Sequence, residues 1–188
     1  MIKTISVIGA PCTGKTKLVS LYNNHAVNIG DYAQSLPSSS PLKEECIRHW
    51  EQDKTFDGNL TIKLLESYPL PDEQWLLLDG TPRNLEQLLA LQNRFEIIGF
   101  IEIDVEFKIW RQRINEEVEK RKFRVDSSLN KLIQRRLNYF EEAEKLKGNS
   151  DTWNKIDNSS YFEKTKSEFE MVIDNLLGKR RIKNGRIY

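Results

Sequence analysis

The feature that most constrains this chain is a glycine-bounded pattern placed directly after a β-prone apolar segment. Residues Ile2–Ile8 form that segment, and the next eight residues are Gly9-Ala10-Pro11-Cys12-Thr13-Gly14-Lys15-Thr16. They fit G-x-x-x-x-G-K-[ST], the P-loop or Walker A pattern. Helical spacing without a breaker follows from Lys15 to Tyr22. A strand, such a loop and a helix start together surround an anion with backbone N–H groups.

This arrangement predicts a site for a nucleoside triphosphate. We expect Lys15 to reach the terminal phosphates of ATP and the Thr16 hydroxyl to bind Mg²⁺. The alternative is a tight strand-to-helix turn that carries an incidental lysine. The position of the pattern between a strand and a helix favours the triphosphate site.

Composition limits the classes of partner. The chain has 188 residues, with 29 Lys+Arg against 28 Asp+Glu, so no global basic field attracts nucleic acid and we expect no nucleic-acid partner. No apolar run approaches the ~18 residues of a membrane span, and no signal peptide is visible. The only cysteines, Cys12 and Cys46, make no disulfide framework. We therefore expect one domain, a cytoplasmic monomer without a membrane partner.

Short apolar segments alternate with longer amphipathic ones, which indicates βαβ units and a parallel sheet. The expected class is an α/β P-loop NTPase fold, three layers (α/β/α) around a five-stranded parallel sheet. Predicted strands are Ile2–Ile8, Ala26–Ile29, Trp75–Asp79, Ile97–Ile103 and Trp153–Asp157. Predicted helices are Gly14–Asn23, Pro41–Asp53, Asn59–Ser67, Leu85–Arg94, Glu106–Glu119, Ser128–Lys147 and Tyr161–Leu177.

Two shorter segments need separate interpretation. Val27–Tyr32 is interpreted as a short strand that ends at a Gly-Asp turn, with Asp31 as a candidate cap of the next helix. Ser35–Pro41 is rich in serine and proline and is predicted to be a loop within the domain.

A second informative motif, Asp79-Gly80-Thr81-Pro82-Arg83, follows the apolar run Trp75–Leu78. An acidic residue at the carboxyl end of a buried strand is placed to hold Mg²⁺ or its waters. Gly80 and Pro82 force a turn that directs Arg83 across the top of the sheet, where its planar fork suits phosphate. The alternative is a surface turn with a solvated arginine.

Together these motifs resemble the nucleoside monophosphate kinases, of which adenylate kinase is the best known. The first stretch is similar to the family's G-x-P-G-x-G-K loop. Asp79–Arg83 resembles its D-G-[FY]-P-R signature, and Gln87 lies at the expected step beyond it. Ile29-Gly30-Asp31 is similar to its T-G-D segment. Looser matches to the arginines that frame the lid of the family are Asp104-Val105, Arg113-Ile114, Arg124-Val125-Asp126 and Arg135-Arg136-Leu137.

The resemblance implies transfer of the γ-phosphoryl group of ATP to a small-molecule nucleoside monophosphate. Lys15 would hold the β- and γ-phosphates, while Thr16 and Asp79 would hold Mg²⁺. The implied nucleotide-binding residues are Gly9, Pro11, Cys12, Thr13, Gly14, Lys15, Thr16 and, beside the adenine, Asp157.

For the acceptor, the resemblance implies that Arg83 binds the phosphate and Gln87 the base, with Asp31 and Gly58 beside them. Three arginines would close over the transferred group: Arg113, Arg124 and Arg135, with Arg136 as the alternative to Arg135. The alternative is that these arginines are simply solvated, as arginines on charge-rich helices usually are.

The implied organisation is a single P-loop kinase domain over 1–188. It would contain an acceptor-binding insert at about 30–66 and a short lid at about 113–127. Residues 178–188 would form a basic tail, expected to be frayed and solvated. Only ten residues separate Arg113 from Arg124, without a Cys or His cluster, so the lid is expected to lack zinc.

Three departures from the family pattern bear on activity. Cys12 replaces a glycine, so the loop must use a backbone conformation that a Cβ tolerates. Ile29 replaces the threonine before Gly-Asp, and Gln34 replaces a second acceptor-phosphate arginine. A charge-assisted contact of that kind is worth about 1.5–3 kcal/mol. These departures leave two alternatives open: a nucleotide-binding relative with little turnover, or a P-loop kinase of another small metabolite.

Overall fold

The sheet is the centre of the computed structural model, which describes residues 1–70, 74–120, 129–179, 182–183 and 186–187. Five parallel strands lie in the order β2-β3-β1-β4-β5. They are β1 (Ile2–Ile8), β2 (Ala26–Val27), β3 (Trp75–Asp79), β4 (Phe95–Asp104) and β5 (Trp153–Asp157).

Eight α-helices connect and cover these strands within the described ranges. They are α1 (Lys15–Val19), α2 (Ile29–Ser35), α3 (Pro41–Glu51), α4 (Gly58–Ser67), α5 (Leu85–Gln92), α6 (Phe107–Lys120), α7 (Leu129–Lys147) and α8 (Phe162–Leu176). None of these eight is long and apolar enough to cross a membrane.

Strand β3 shows why the sheet needs a layer of helices on each side. All five of its residues are buried. Leu76 and Leu78 pack on one face with α2, α3 and α4, whereas Trp75 and Leu77 pack on the other face with α1 and α8. Successive side chains of a strand point to opposite faces, so a fully apolar strand requires cover on both. The predicted three-layer P-loop fold is confirmed.

The prediction for the segment after β2 was wrong. Strand β2 ends at Val27, and Ile29–Ser35 is helix α2 rather than the end of a strand and a turn. Asn28, in extended conformation, is the N-cap: its side chain accepts a hydrogen bond from the Asp31 backbone N–H at 3.0 Å. Such a cap satisfies an N–H group that the helix itself leaves free, so Asn28 caps this helix and Asp31 lies in its first turn.

The end of the first helix and the structure of the C-terminal tail also differ from prediction. Helix α1 stops at Val19 and continues as a 3₁₀ turn, Ser20–Tyr22. The tail was expected to be frayed, but it contains two short antiparallel strands, β6 (Ile182–Lys183) and β7 (Arg186–Ile187), which pair with each other. The intervening sequence Asn184-Gly185 is a common hairpin signal that the composition-based interpretation overlooked.

Candidate active site

The P-loop connects the carboxyl end of β1 to α1, as its sequence predicts. Gly14 has φ 93° and precedes the first residue of α1. A side chain at this position would overlap the Asn158 amide, so glycine is required by space as well as by conformation. Cys12 also has a positive φ, 62°, without being a glycine. The loop therefore accommodates a Cβ in a left-handed conformation.

The lysine of the P-loop lies against its own backbone. Lys15 Nζ donates hydrogen bonds to the Gly9 and Ala10 carbonyl oxygens, at 2.7 and 2.9 Å. Desolvation lowers the pKa of this ammonium group to about 8, although the charge of Asp79 opposes the shift. An ammonium group held at the mouth of the loop can transfer these hydrogen bonds to phosphate oxygens, as expected from the sequence.

A hydroxyl and a carboxylate meet beside the loop. Thr16 Oγ1 donates to Asp79 Oδ2 at 2.9 Å, and Asn28 Nδ2 donates to the same oxygen at 3.0 Å. Asp79 is buried at the end of β3, whereas Thr16 is exposed. Hard oxygen donors of this kind suit Mg²⁺, which usually takes one or two protein ligands and fills its other positions with water and phosphate. The residue types and their proximity fit the predicted metal.

Arg83 lies in the same region, on the turn after β3. Its Nε donates to the Gly80 carbonyl at 3.1 Å. Removal from water, and then the charge of Arg135, lower the pKa of Arg83, while Asp79 and Asp31 act in the opposite direction. Arginine stays protonated in any case. The charges of Arg135, Asp79 and Asp31 therefore lie close enough to act on the Arg83 guanidinium group, and all four are predicted site residues.

Arg113 contacts the backbone of the P-loop. From α6 its guanidinium group donates to the Thr13 carbonyl at 3.3 Å and to the Asn158 carbonyl at 2.8 Å. Asn158, directly after β5, donates its own side-chain N–H to the Thr13 carbonyl at 2.7 Å. Two elements distant in sequence thus hold one carbonyl of the loop, and Arg113 lies next to the phosphate-binding backbone.

The structure separates Arg135 from Arg136. Arg135 is exposed on α7 and its charge acts on Arg83. Arg136 is buried, 3.9 Å from the Asp104 carboxylate, with its guanidinium group over the Trp110 and Phe140 rings. Of the two, Arg135 is therefore the one whose charge acts on Arg83. The predicted Arg124, and the lid from 121 to 127, lie outside the described residues.

Gln87, predicted to bind the acceptor base, is fully engaged with backbone groups. Its Nε2 donates to the Phe56 carbonyl at 2.6 Å, and its Oε1 accepts from the Arg83 N–H at 2.7 Å. The residue is only 2% exposed. It therefore links the Arg83 turn to Phe56, just before α4, and its contact with a base stays a prediction.

Two further predicted residues have structural roles in the described geometry. A Cβ on Gly58 would lie 2.9 Å from the Ala90 Cβ, so glycine permits α4 to pack closely on α5. Asp157 accepts hydrogen bonds from the backbone N–H and the hydroxyl of Ser159, which shape the turn after β5. Contact of either residue with a nucleotide stays a prediction.

Sequence interpretation missed three residues that position the site: Asn28, Trp110 and Asn158. Asn28 contacts Asp79, Trp110 Nε1 donates to the Pro11 carbonyl at 2.8 Å, and Asn158 contacts Thr13. Asn28 had a local signal, since an Asn directly before a helical segment is a common N-cap. The partners of Trp110 and Asn158 lie 99 and 145 residues away in the chain, and no local pattern indicates them.

The fold and the site together define a P-loop NTPase-type α/β protein with a Thr–Asp pair beside the loop. No family model matches the chain. It is 32% identical over 128 residues to the adenylate kinase of Campylobacter lari, a match covering 57% of this chain and 64% of that protein. It is 28% identical over 132 residues to the adenylate kinase of Helicobacter hepaticus, covering 61% and 67%. The chain is thus distantly similar to adenylate kinases, which are nucleoside monophosphate kinases.

A third comparison agrees with these two. The adenylate kinase of Campylobacter fetus is 28% identical over 131 residues, which cover 61% of this chain and 66% of that protein. The matches cover 64% of the first of these three relatives and 66–67% of the other two. Similarity of this extent supports the resemblance stated from the motifs, and the reaction itself is taken up below as a proposal.

Proposed function

We propose that the protein transfers the γ-phosphoryl group of ATP to a nucleoside monophosphate, producing ADP and a nucleoside diphosphate. The observation that carries the proposal is the closeness of the P-loop, the Thr16–Asp79 pair and the Arg83 charge. The Thr16–Asp79 pair, 2.9 Å apart, lies beside the P-loop, and Arg83 with Arg135 provides positive charge in the same place. Similarity to adenylate kinases supports the same reaction class.

In this proposal the P-loop and Lys15 bind the triphosphate. The Lys15 ammonium group exchanges the Gly9 and Ala10 carbonyls for the β- and γ-phosphate oxygens. Backbone N–H groups at the start of α1 add further donors. Before nucleotide binds, Arg113 and Asn158 both hold the Thr13 carbonyl, and Asn158 keeps the loop in position while the phosphates are bound.

Thr16 and Asp79 would hold Mg²⁺, and Asn28 orients the Asp79 carboxylate through its amide. When bound, Mg²⁺ neutralises charge on the phosphate oxygens and orders them. These side chains also fix the position of the Asp79 carboxylate relative to the P-loop, through the hydrogen bonds of Thr16 and Asn28.

Arg83 would bind the acceptor phosphate, and Arg113, Arg124 and Arg135 would surround the transferred group as the lid closes. Phosphoryl transfer requires alignment and neutralisation of charge, with little covalent chemistry by the protein. Closure also excludes water, which would otherwise hydrolyse ATP. The cytoplasm is the proposed compartment, and Cys12 and Cys46 are not joined by a disulfide in the structure.

A second candidate is a P-loop kinase whose acceptor is a different phosphorylated metabolite. The observation that favours it is Gln87, whose amide is occupied at both ends by backbone groups. Gln34 also favours a different acceptor, because it supplies no guanidinium group where the resemblance leads one to expect an arginine. In that case the donor site would work as described and only the acceptor would differ.

The deciding experiment is a coupled assay of ADP release with Mg·ATP and a panel of ribo- and deoxynucleoside monophosphates. We expect saturable ADP release with at least one of them and little release without an acceptor. Release with none of them, from protein that binds ATP, would contradict the proposed reaction and would leave the second candidate. Lys15→Ala is the negative control for catalysis by the protein itself.

A further inference from the structure

The P-loop of this chain contains a non-glycine residue in a left-handed conformation. Cys12 has φ 62°, a region in which a Cβ collides with neighbouring backbone and which is unfavourable for most residues. Glycine, which adopts this conformation without such a collision, is the residue that the resemblance leads one to expect here. Something in the rest of the structure must therefore stabilise the loop in this shape.

The Pro11–Cys12 peptide receives a hydrogen bond from outside the loop. Trp110 Nε1, on α6, donates to the Pro11 carbonyl oxygen at 2.8 Å. This carbonyl belongs to the peptide unit that precedes the Cys12 Cα, so its direction is set by the same rotation as φ of Cys12. A donor fixed in space that binds the carbonyl selects that rotation.

The side chain of Cys12 packs on the cluster to which this tryptophan belongs. This buried apolar cluster is formed by Val105, Trp110, Ile114 and Leu132. Trp110 therefore has two links to the turn: the hydrogen bond of its ring nitrogen, and its place in the cluster on which the Cys12 side chain packs. A glycine at position 12 would need neither contact.

Trp110 is itself held in a fixed orientation. It is 2% exposed, its ring stacks with Phe107 at 5.7 Å between centroids, and the Arg136 guanidinium group lies 4.4 Å from the ring centre. Arg136 is anchored in turn near Asp104, 3.9 Å away. The indole N–H is thus a rigid donor aimed at the loop, unlike a side chain that is free to rotate.

We propose that Trp110 is a positioning residue for the nucleotide-binding loop, and that Cys12 is what makes it necessary. Trp110 holds the Pro11 carbonyl so that the following N–H groups of the loop point towards the phosphates. This inference rests on the proposed ATP site. The alternative is that Trp110 is an ordinary core tryptophan, whose ring nitrogen has merely found a partner.

The test is a double-mutant cycle on Cys12→Gly and Trp110→Phe. Phenylalanine keeps an aromatic ring in the stack and removes the N–H donor. We expect Trp110→Phe to raise the KM for ATP about three- to tenfold, the range expected from the loss of one hydrogen bond. The KM for the acceptor should change less than about twofold. In the Cys12→Gly background, the same Trp110→Phe change should alter the KM for ATP less than about twofold.

Trp153→Phe is the matched control. Trp153 also donates a hydrogen bond from its ring nitrogen in a partly buried position, to Glu102 Oε2 at 3.0 Å, and it packs in a different cluster from the loop. We expect its KM for ATP to be unchanged in both backgrounds. An equal rise in the KM for ATP on Trp110→Phe, with cysteine or with glycine at position 12, would overturn the coupling. An equal rise in the KM values for ATP and acceptor would indicate a merely structural tryptophan.

A second readout is independent of the reaction. Chemical unfolding of the four proteins without nucleotide should show a loss of stability on Trp110→Phe that is clearly larger with Cys12 present than in the Cys12→Gly background. If the wild-type protein failed to bind ATP, the proposed function would be wrong. The unfolding measurements would still test the coupling between Cys12 and Trp110. Equal losses of stability in both backgrounds would contradict the proposal itself.

Discussion

Lys15 is the residue whose titration bears most directly on function. Its folded-state pKa, about 8, lies below the ordinary value of 10.5 because the ammonium group is desolvated. Between these two values the unfolded chain binds more protons than the folded protein, so this group's contribution to stability rises with pH in that window. Below about pH 8 the full cost of the buried charge is present.

The same shift predicts how ATP binding depends on pH. Bound phosphates require a protonated Lys15, so above about pH 8 binding must take up a proton. We expect the Kd for Mg·ATP to rise with pH above about 8, approaching about tenfold per pH unit, and to be flatter below it. Calorimetric titrations from about pH 7 to about pH 9.5 span this transition. Lys15→Ala should bind weakly without that dependence, and a flat profile in the wild type would contradict the assignment.

Asn28 connects the metal side of the cleft to helix α2. Its amide donates to Asp79 and its carbonyl oxygen caps α2 at Asp31, each at 3.0 Å. We expect Asn28→Ala to lose about 1 kcal/mol of stability, as for other caps, and to raise the Mg²⁺ concentration needed for half-maximal activity. Urea unfolding and Mg²⁺ titration of the rate measure the two effects.

Asn84→Ala is the control for this prediction. Asn84 caps α5 in the same way, accepting from the Gln87 N–H at 2.9 Å, and its side-chain amide donates to the Thr55 hydroxyl rather than to Asp79. It should lose similar stability and leave the Mg²⁺ requirement unaltered. An unaltered Mg²⁺ requirement in Asn28→Ala as well would reduce Asn28 to a helix cap.

Gln34 tests the acceptor site. It is exposed on α2, where the resemblance leads one to expect a phosphate-binding arginine. If the alignment is correct, Gln34→Arg should lower the KM for the best monophosphate about tenfold, since a charge-assisted hydrogen bond contributes about 1.5–3 kcal/mol. Steady-state kinetics with the acceptor varied measures it. An unchanged or higher KM would mean that this segment serves another acceptor.

At the scale of elements, α7 presents two neighbouring arginines to different surroundings. Arg135 is exposed and its charge acts on Arg83, whereas Arg136 lies between α7 and α6. We expect Arg135→Ala to lower kcat about a hundredfold or more, as for groups that stabilise a transferring phosphoryl group, with little loss of stability. Arg136→Met should instead cost about 1–2 kcal/mol in stability, because the guanidinium group leaves two aromatic rings.

Rate measurements and chemical unfolding on both variants separate these outcomes. A large loss of kcat in Arg136→Met without loss of stability would mean that Arg136 has the catalytic role and Arg135 does not. The sequence left this choice open because the two residues are adjacent and equally basic. Only the packing of α7 against Trp110 decides which of them turns inwards.

The elements themselves were predicted where burial and length agree. The strands β1, β3 and β5 were predicted with the correct ends. For β1 and β3 the reason is that apolar runs flanked by turn residues leave little choice. Helix α2 was missed because it has only seven residues and a glycine in its first turn. The helix begins where it does because the Asn28 side chain accepts one hydrogen bond. In the sequence, a single capping asparagine is a weaker signal than the apolar residues that precede it.

At the scale of the whole molecule, Mg·ATP should stabilise the fold. A ligand at about 100 times its Kd adds about 2.7 kcal/mol to the free energy of unfolding. We expect a clear rise in Tm with saturating Mg·ATP, measured by scanning fluorimetry, and no comparable rise in Lys15→Ala. A wild-type protein that gains nothing would not be a nucleotide-binding protein of the kind proposed.

The candidate site could be predicted from the sequence where its chemistry is local. The P-loop and Asp79 to Arg83 carry their roles within a few residues, and they lie around one cleft in the folded chain. The residues that hold them, Asn158 and Trp110, act across 145 and 99 positions. Such contacts depend on the order of strands and on the path of α6, and therefore emerge only once the chain is folded.

The hydrogen bond between Trp110 and the loop also gives the molecule an optical reporter. Indole emission responds to the polarity and hydrogen bonding around the ring nitrogen, and here that nitrogen touches the backbone of the nucleotide loop. The other tryptophans are Trp50, Trp75 and Trp153. With these three replaced by phenylalanine, a single intrinsic fluorophore would follow nucleotide arrival in real time, without a label or a coupling enzyme.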